Sequence, residues 1–222
     1  MSQATGRVLS VNVGTMREFD YNGRPARSAI WKHPVPGRVV ARGVNLIGDE
    51  QADRAAHGGP DKAIYAYAIE DYRWWEQELG RRVEPGEFGE NLTTEGIDVT
   101  RSLVGERWEI GGVVVEVSEP RVPCWRLGVR MNDKSFPRRF TKAGRPGSYL
   151  RIVREGDLGP GDTVRVVSRP DHDVTIGDVF RIFTRDQHEA GKIVAVPQMS
   201  DSWRAWAESR LEKESSEAPG CC

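Results

Sequence analysis

Between about residues 7 and 168, apolar positions fall in short bursts separated by turn residues rather than in helical stripes. RVLSVNV (7–13), KAIYAYA (62–68), VVVEVS (113–118), SYLRIV (148–153) and TVRVVS (163–168) are rich in β-branched or aromatic residues. Such runs, bounded by glycine, proline or acidic residues, read as strands. Gly111-Gly112 and Gly161-Asp162 stand where hairpin turns are expected. One helix is predicted over 69–79, where Ile69, Tyr72, Trp75 and Leu79 form a stripe that Gly80 stops. A weaker helical pattern covers 135–142. Several strands with few helices between them predict a closed or nearly closed β-barrel, not a parallel βαβ sheet.

After Arg169-Pro170 the period changes. Ile176, Val179, Phe180 and Phe183 follow i, i+3, i+4, i+7, and Thr175 with Asp178 has the pattern of a capping box. Asp186 is placed to cap a second short helix presenting Ala190, Ile193 and Val194, which Pro197 ends. A third begins near 200–202 and carries Trp203, Trp206, Ala207 and Leu211. Short amphipathic helices cannot bury their stripes singly, so these three are expected to pack as one appended unit. The tail from Lys213 is polar and expected to fray. The expected fold is therefore mainly β with α: a barrel domain over 1–169, a three-helix unit over 170–212 and a disordered tail over 213–222.

Charge narrows the function classes. Lys plus Arg (32) and Asp plus Glu (33) nearly cancel over 222 residues. No global basic field exists to hold nucleic acid or a membrane surface, so any anion site has to be local. The N-terminus lacks a basic-then-apolar secretory pattern, and no apolar run approaches the roughly 20 residues that span a bilayer. The cysteines are Cys124, Cys221 and Cys222. They form no disulfide framework, which points to the cytoplasm and to a thiol at Cys124. The adjacent terminal pair is read as a tail feature, because nothing else in the sequence supports lipidation.

Four segments are more specific than a fold requires. Ser28-Ala-Ile-Trp-Lys32-His33-Pro34 ends a strand-like piece on a cation. Gly48-Asp49-Glu50-Gln51-Ala52-Asp53-Arg54 precedes His57-Gly-Gly-Pro-Asp-Lys62, which reads as a tight loop entering a strand, where glycines let backbone amides approach an anion; on pattern alone an ordinary Gly-Pro turn is the commoner case. In Phe88-Gly-Glu-Asn91-Leu92, the Asn91 amide can satisfy the donor and acceptor edges of a heterocycle or bond its own backbone. In Glu119-Pro-Arg121-Val-Pro123-Cys124-Trp-Arg126, two guanidinium groups within three residues favour thiolate over thiol. A lone cysteine is as readily a small core residue. On strand alternation Arg126 shares a face with Cys124, whereas Arg121 does not unless Pro123 breaks the strand. No CxxC or HxxxH spacing suggests zinc, and no P-loop, GxGxxG or GxSxG motif is present.

In this order and spacing, these phrases resemble the MOSC-domain family, and within it the bacterial YiiM type. The phrases are AIWKHPV, GDEQADRAAHGGPDKAIYAY, FGENLTTEGI, the Pro-Arg-x-Pro-Cys of 120–124, GRPGSYLRIV and GPGDTVRVVSRP. The resemblance runs from about Arg7 to about Arg210. It implies a MOSC β-barrel binding the molybdenum cofactor (Mo-molybdopterin), with Cys124 as the protein's thiolate ligand, a soft donor suited to that metal. Lys32, the His57–Lys62 loop, Arg121, Arg126 and Arg145 are then candidates for the cofactor's phosphate. Asn91 and His57 are candidates for the pterin or the metal's other ligands. Trp125-Arg126 departs from the family phrase and points to a pocket of its own shape.

The resemblance further implies a pyridoxal-phosphate-independent oxidoreductase acting in detoxification. Its reaction would be the two-electron reduction of N-hydroxylated small molecules, such as hydroxylaminopurines and amidoximes. With no flavin motif and no Fe–S cysteine set in the chain, electrons would come from a separate flavoprotein or Fe–S reductase. A homodimer stays open. Two alternatives stand beside this reading: a non-catalytic carrier of the cofactor, and a barrel whose cysteine is merely structural. A cleft of basic residues around Cys124 would favour the first two readings, a dry apolar surround the third.

Overall fold

The computed structural model describes residues 5–51 and 58–217. The chain opens with β1 (Thr5–Val13), the hairpin β2 (Arg17–Tyr21) and β3 (Arg24–Ser28), and short β4 (His33–Pro34), β5 (Val39–Arg42) and β6 (Asn45–Leu46). β7 (Ile64–Ala68), α1 (Ile69–Leu79), β8 (Leu92–Glu95), β9 (Arg107–Ile110) and β10 (Val113–Pro120) follow. Next come α2 (Trp125–Arg130), α3 (Phe136–Ala143), β11 (Ser148–Arg154), β12 (Gly156–Leu158) and β13 (Thr163–Ser168). The described chain ends with α4 (Ile176–Thr184), α5 (Gly191–Val194) and α6 (Asp201–Glu217).

Seven strands run in the order β13-β9-β10-β11-β7-β8-β1, and β1 pairs back onto β13 through Thr5↔Arg165, Gly6↔Val164 and Arg7↔Thr163. The ring closes, which removes the exposed strand edges of an open sheet. Neighbours are antiparallel except β7 and β8 (Ala66↔Leu92), and α1 is the crossover that a parallel pair requires. The turn expected at Gly111-Gly112 does join paired strands, β9 and β10. Gly161-Asp162 does not make a hairpin. The strand before it, β12, pairs with β5 in a separate sheet, whereas β13 returns to β9 and β1.

β7 explains how the barrel carries a helical layer. All five of its residues are buried. Ile64, Ala66 and Ala68 face the barrel core with Trp108, Val115 and Leu150, while Tyr65 and Tyr67 face outward into a second cluster. There they meet Tyr72 and Trp75 of α1, Leu127 of α2, and Phe136 and Phe140 of α3. Period-two alternation of small and aromatic residues thus packs one strand against two cores. α1 has the predicted limits, with Gly80 in the left-handed region at φ 62.

The capping box of α4 forms, with the Asp178 amide donating to Thr175 Oγ1 at 3.1 Å and the Thr175 amide donating to Asp178 Oδ2 at 3.1 Å. Where one helix is predicted after Asp186, a 3-10 turn (Gln187–Glu189) precedes the four-residue α5. Asp186 caps neither; its carboxylate and that of Glu189 are held by Arg181. The C-terminal helices share the barrel's core: Ile176, Val179, Ile182, Ile193, Trp203 and Ala207 belong to the same apolar cluster as Val113 and Val115. α6 continues through Glu217, past Lys213 where its polar composition predicts fraying. Among the described residues no helix is long and apolar enough to cross a membrane.

Candidate functional site

β10 ends at Pro120, and the chain then leaves the barrel wall. Pro123 lies in this irregular stretch and Cys124 is the residue that precedes α2. The strand alternation that would separate Arg121 from Cys124 therefore does not apply. Both residues, with Arg126 from the first turn of α2, line one cleft of about 690 Å³ measured out to its open mouth. Lys32, Lys62 and Asn91 line it too, from the loop after β3, the turn before β7 and the residue before β8. Tyr65 and Tyr149, cross-strand partners on β7 and β11, complete its wall.

The cations are not equivalent. Lys32 is 8 % exposed and its ammonium is spent on Asp49, donating to Oδ1 and, at 2.6 Å, to Oδ2. Burial pulls its pKa below the ordinary lysine value, against the opposing pull of Asp49. Gly86 allows this packing: at φ 86 it takes a left-handed conformation, and a Cβ there would stand 2.5 Å from the Lys32 carbonyl oxygen. Lys62 Nζ lies 3.3 Å from Glu119 Oε1. Among the described residues, no carboxylate lies within ion-pair distance of Arg121 or Arg126.

Arg121 is buried, its guanidinium 5.1 Å from the centroid of the Tyr65 ring and 5.8 Å from that of Phe140, and it donates to the Phe88 carbonyl. Burial opposes its charge, but Tyr65, Tyr149 and Cys124 more than offset that, leaving its pKa above the ordinary arginine value. Arg126 is half-buried, stacks on Trp125 at 4.7 Å and reaches the Arg27 carbonyl at 3.5 Å. Trp125 itself turns away from the cleft and stacks on Tyr21 of the hairpin at 4.2 Å. Burial pushes the Tyr149 phenol up to about 12, with Arg121 opposing, so this hydroxyl keeps its proton at neutral pH.

Asn91 lines the cleft, yet its side chain is engaged within the protein. Its Oδ1 accepts from the Tyr65 amide at 3.0 Å, and its Nδ2 donates to the Asn12 carbonyl at 3.2 Å and to Asp49 Oδ2 at 2.9 Å. Both N–H donors are used. Asn91 thus ties β1, β7 and the Lys32–Asp49 pair together rather than presenting two free edges to a heterocycle. Arg145 lies elsewhere. It donates to Asp71 Oδ1 at 2.5 Å, sits 4.9 Å from the Trp74 ring and lines a different cavity with Gly96 and Thr100. The reason is the turn at Gly147, after which Tyr149, not Arg145, faces the cleft. His57 lies outside the described residues, as do Cys221 and Cys222.

Asp49 and Gln51 belong to a phrase that the sequence marks, and Tyr65 and Tyr149 to predicted strands, but the sequence assigns none of the four a role at the cleft. Gln51 holds the loop before β7, accepting from the Gly59 amide at 3.2 Å and donating to the Lys62 carbonyl at 3.3 Å. A signal for the tyrosines exists in the alternation of Tyr65 and Tyr67 with Ile64 and Ala66, and of Tyr149 with Leu150. Which face meets the cleft depends on the pairing of β7 with β11.

Comparison with known proteins places these features in context. The family model described as the MOSC domain matches residues 53–165. YflK of Bacillus subtilis, described as uncharacterized, is 34% identical over 211 residues, which are 92% of this chain and 94% of that protein. A protein of Gibberella moniliformis named "Reductase" is 32% identical over 171 residues, 74% of this chain but 30% of its own length. The crystal structure of YiiM from Geobacillus stearothermophilus superimposes with a TM-score of 0.77 at 28% identity, covering 93% of this chain and 99% of that one.

Proposed function

The chain belongs to the MOSC-domain family, and on that premise we propose that it is a molybdenum-cofactor-dependent reductase cleaving the N–O bond of N-hydroxylated small molecules. Family membership supports a molybdenum-cofactor-related function. The relative named as a reductase supports oxidoreduction as the reaction class. Hydroxylaminopurines and amidoximes are the substrates we assign, and a separate flavoprotein or Fe–S reductase is the electron donor.

The observation that carries the reading is the setting of Cys124: a half-buried thiol on a cleft wall shared with Arg121 and Arg126. A structural cysteine would be expected in a dry apolar surround, and the guanidinium groups on this wall favour the other reading. The residues also fit the group. Among the described residues, no cluster of three or more His, Cys, Asp and Glu side chains is arranged to hold a bare ion. A single soft thiolate among cations suits a metal that brings further ligands with it, as molybdenum does within its pterin dithiolene.

In this reading Cys124 holds the metal through its sulfur, and the neighbouring guanidinium groups favour the thiolate form that ligation needs. Arg121 and Arg126, without carboxylate partners among the described residues, are free to meet the cofactor's phosphate, and bidentate geometry suits them to it. Lys62 adds a third cation, and His57 keeps its proposed place beside the pterin. Lys32 and Asn91 act through Asp49, which both hold beside the cleft. When bound, the cofactor supplies the two-electron reduction that yields amine and water. Two protons are consumed in each turnover, and Tyr149 holds one at its phenolic oxygen beside Cys124.

The test is expression of the full chain in a host that makes the cofactor, followed by metal analysis and an N-hydroxy-substrate assay with an artificial electron donor. Bound molybdenum and turnover are expected, with turnover lost and molybdenum content lowered in Cys124→Ser. Molybdenum without turnover would point to a cofactor carrier. No molybdenum in the unaltered protein would overturn the proposal.

A further inference from the structure

Cys124 stands between two cavities. The second, about 630 Å³ measured out to its mouth, is walled by Pro120, Pro123 and Cys124 from the barrel and by Phe183 and Trp203 from α4 and α6. It shares Lys62, Val122, Cys124 and Tyr149 with the basic cleft. Its character is different. Where the first presents guanidinium groups, the second presents two aromatic rings set edge to face, their centroids 5.0 Å apart, and the faces of two prolines.

A single ionisable pair interrupts this apolar lining. Glu119 is 2 % exposed, its Oε1 faces Lys62 Nζ and its Oε2 accepts from Ser200 Oγ at 2.9 Å. Burying a carboxylate in an apolar wall costs free energy unless it is paired, and Lys62 and Ser200 supply one partner to each oxygen. Each of its oxygens also retains a lone pair for a further donor. Ser200 and the aromatic rings come from the C-terminal segment, so this chamber exists only because that segment packs on the barrel beside Cys124.

Resting on the reductase reading, we propose that this second chamber is the substrate site and that it selects flat aromatic amidines and heteroaromatic amines in their N-hydroxylated form. The ring of the substrate packs against Phe183 and Trp203. Glu119 accepts a hydrogen bond from its nitrogen-bearing end, which holds that end beside Cys124. The anionic part of the cofactor then occupies the basic cleft on the other side. Specificity thus comes from the C-terminal helices, and cofactor retention from the barrel.

The experiment uses the cofactor-loaded full chain and two amidine probes, benzamidine and acetamidine, with binding measured by calorimetry. Benzamidine is expected to bind about tenfold more tightly, the scale on which aromatic packing discriminates. Phe183→Leu, which keeps an apolar side chain of similar volume, should erase most of that preference. Glu119→Gln should weaken both probes by about tenfold through loss of the charged acceptor. The KM values for benzamidoxime and acetamidoxime should follow the same pattern. No preference in the unaltered protein, or a preference that survives Phe183→Leu, overturns the assignment. Reduction of the oximes with binding indifferent to Phe183 would sink the chamber and leave the reductase reading standing. Binding as expected without reduction of either oxime would do the reverse.

Discussion

Glu90 lies between Gly89 and Asn91, which line the cleft, without lining it itself. Its side chain is fully buried, and the Tyr72 hydroxyl, the Gly86 amide (2.6 Å) and the Thr93 hydroxyl (2.8 Å) all donate to Oε1. Oε2 has no partner among the described residues. Burial raises its pKa above 4.5, with these hydrogen bonds pulling the other way. A carboxyl raised on folding stabilises the protein below its unfolded value, and that stabilisation is lost as pH rises through the folded value. Glu90→Gln keeps Oε1 as an acceptor and removes the ionisation. Denaturant unfolding should therefore show stability falling with pH above about 4.5 in the unaltered protein and a shallower fall in the variant. Equal slopes would contradict this. At this scale the sequence was partly legible. The phrases around Lys32, Lys62, Asn91 and Arg121 to Arg126 converge on one cleft, because each ends or begins a strand at the same rim. Asp49 and Glu90 stand in marked phrases and Tyr149 in a predicted strand, but their roles were hidden, since a buried partner or a face of a strand is defined only by what packs against it.

Among the elements, the turn into β11 sets the cleft wall. Gly147 sits at φ 64, and a Cβ there would stand 2.6 Å from both the Ala66 carbonyl oxygen and the Tyr67 ring. Gly147→Ala should destabilise the protein by about 2–3 kcal/mol, measured by denaturant unfolding, since it adds a clash to an unfavourable φ. A change below about 0.5 kcal/mol would show that the turn relaxes freely. α1 was readable to the residue because its stripe is long and its stop is a glycine. β8 (Leu92–Glu95) and β9 (Arg107–Ile110) were not, being four residues long with one apolar residue in the first and two in the second. α2 was missed because six residues carry too little period to show a helix; Leu127 and its aromatic cluster hold it.

On the scale of the whole molecule, barrel and C-terminal helices form one core. β-Bridge pairing of Leu103 with Thr175 and hydrogen bonds from the Ile176 amide to the Ser102 carbonyl (3.0 Å) and from the Gly177 amide to the Thr100 carbonyl (2.8 Å) stitch them. Helix periodicity after residue 170 announced the unit. It did not announce that Ile176, Val179 and Trp203 would face the barrel, because an apolar stripe does not name its partner. The chain should unfold in one transition, with barrel tryptophan fluorescence and helical circular dichroism coincident. A separate, earlier loss of helix would contradict a shared core.

The claim on which function rests is that Cys124 binds molybdenum, and X-ray absorption at the molybdenum edge of the loaded protein tests it most directly. Cys124→Ser should leave the metal, where any is retained, with one sulfur neighbour fewer than in the unaltered protein. An identical sulfur shell in both proteins would show that Cys124 is not a ligand.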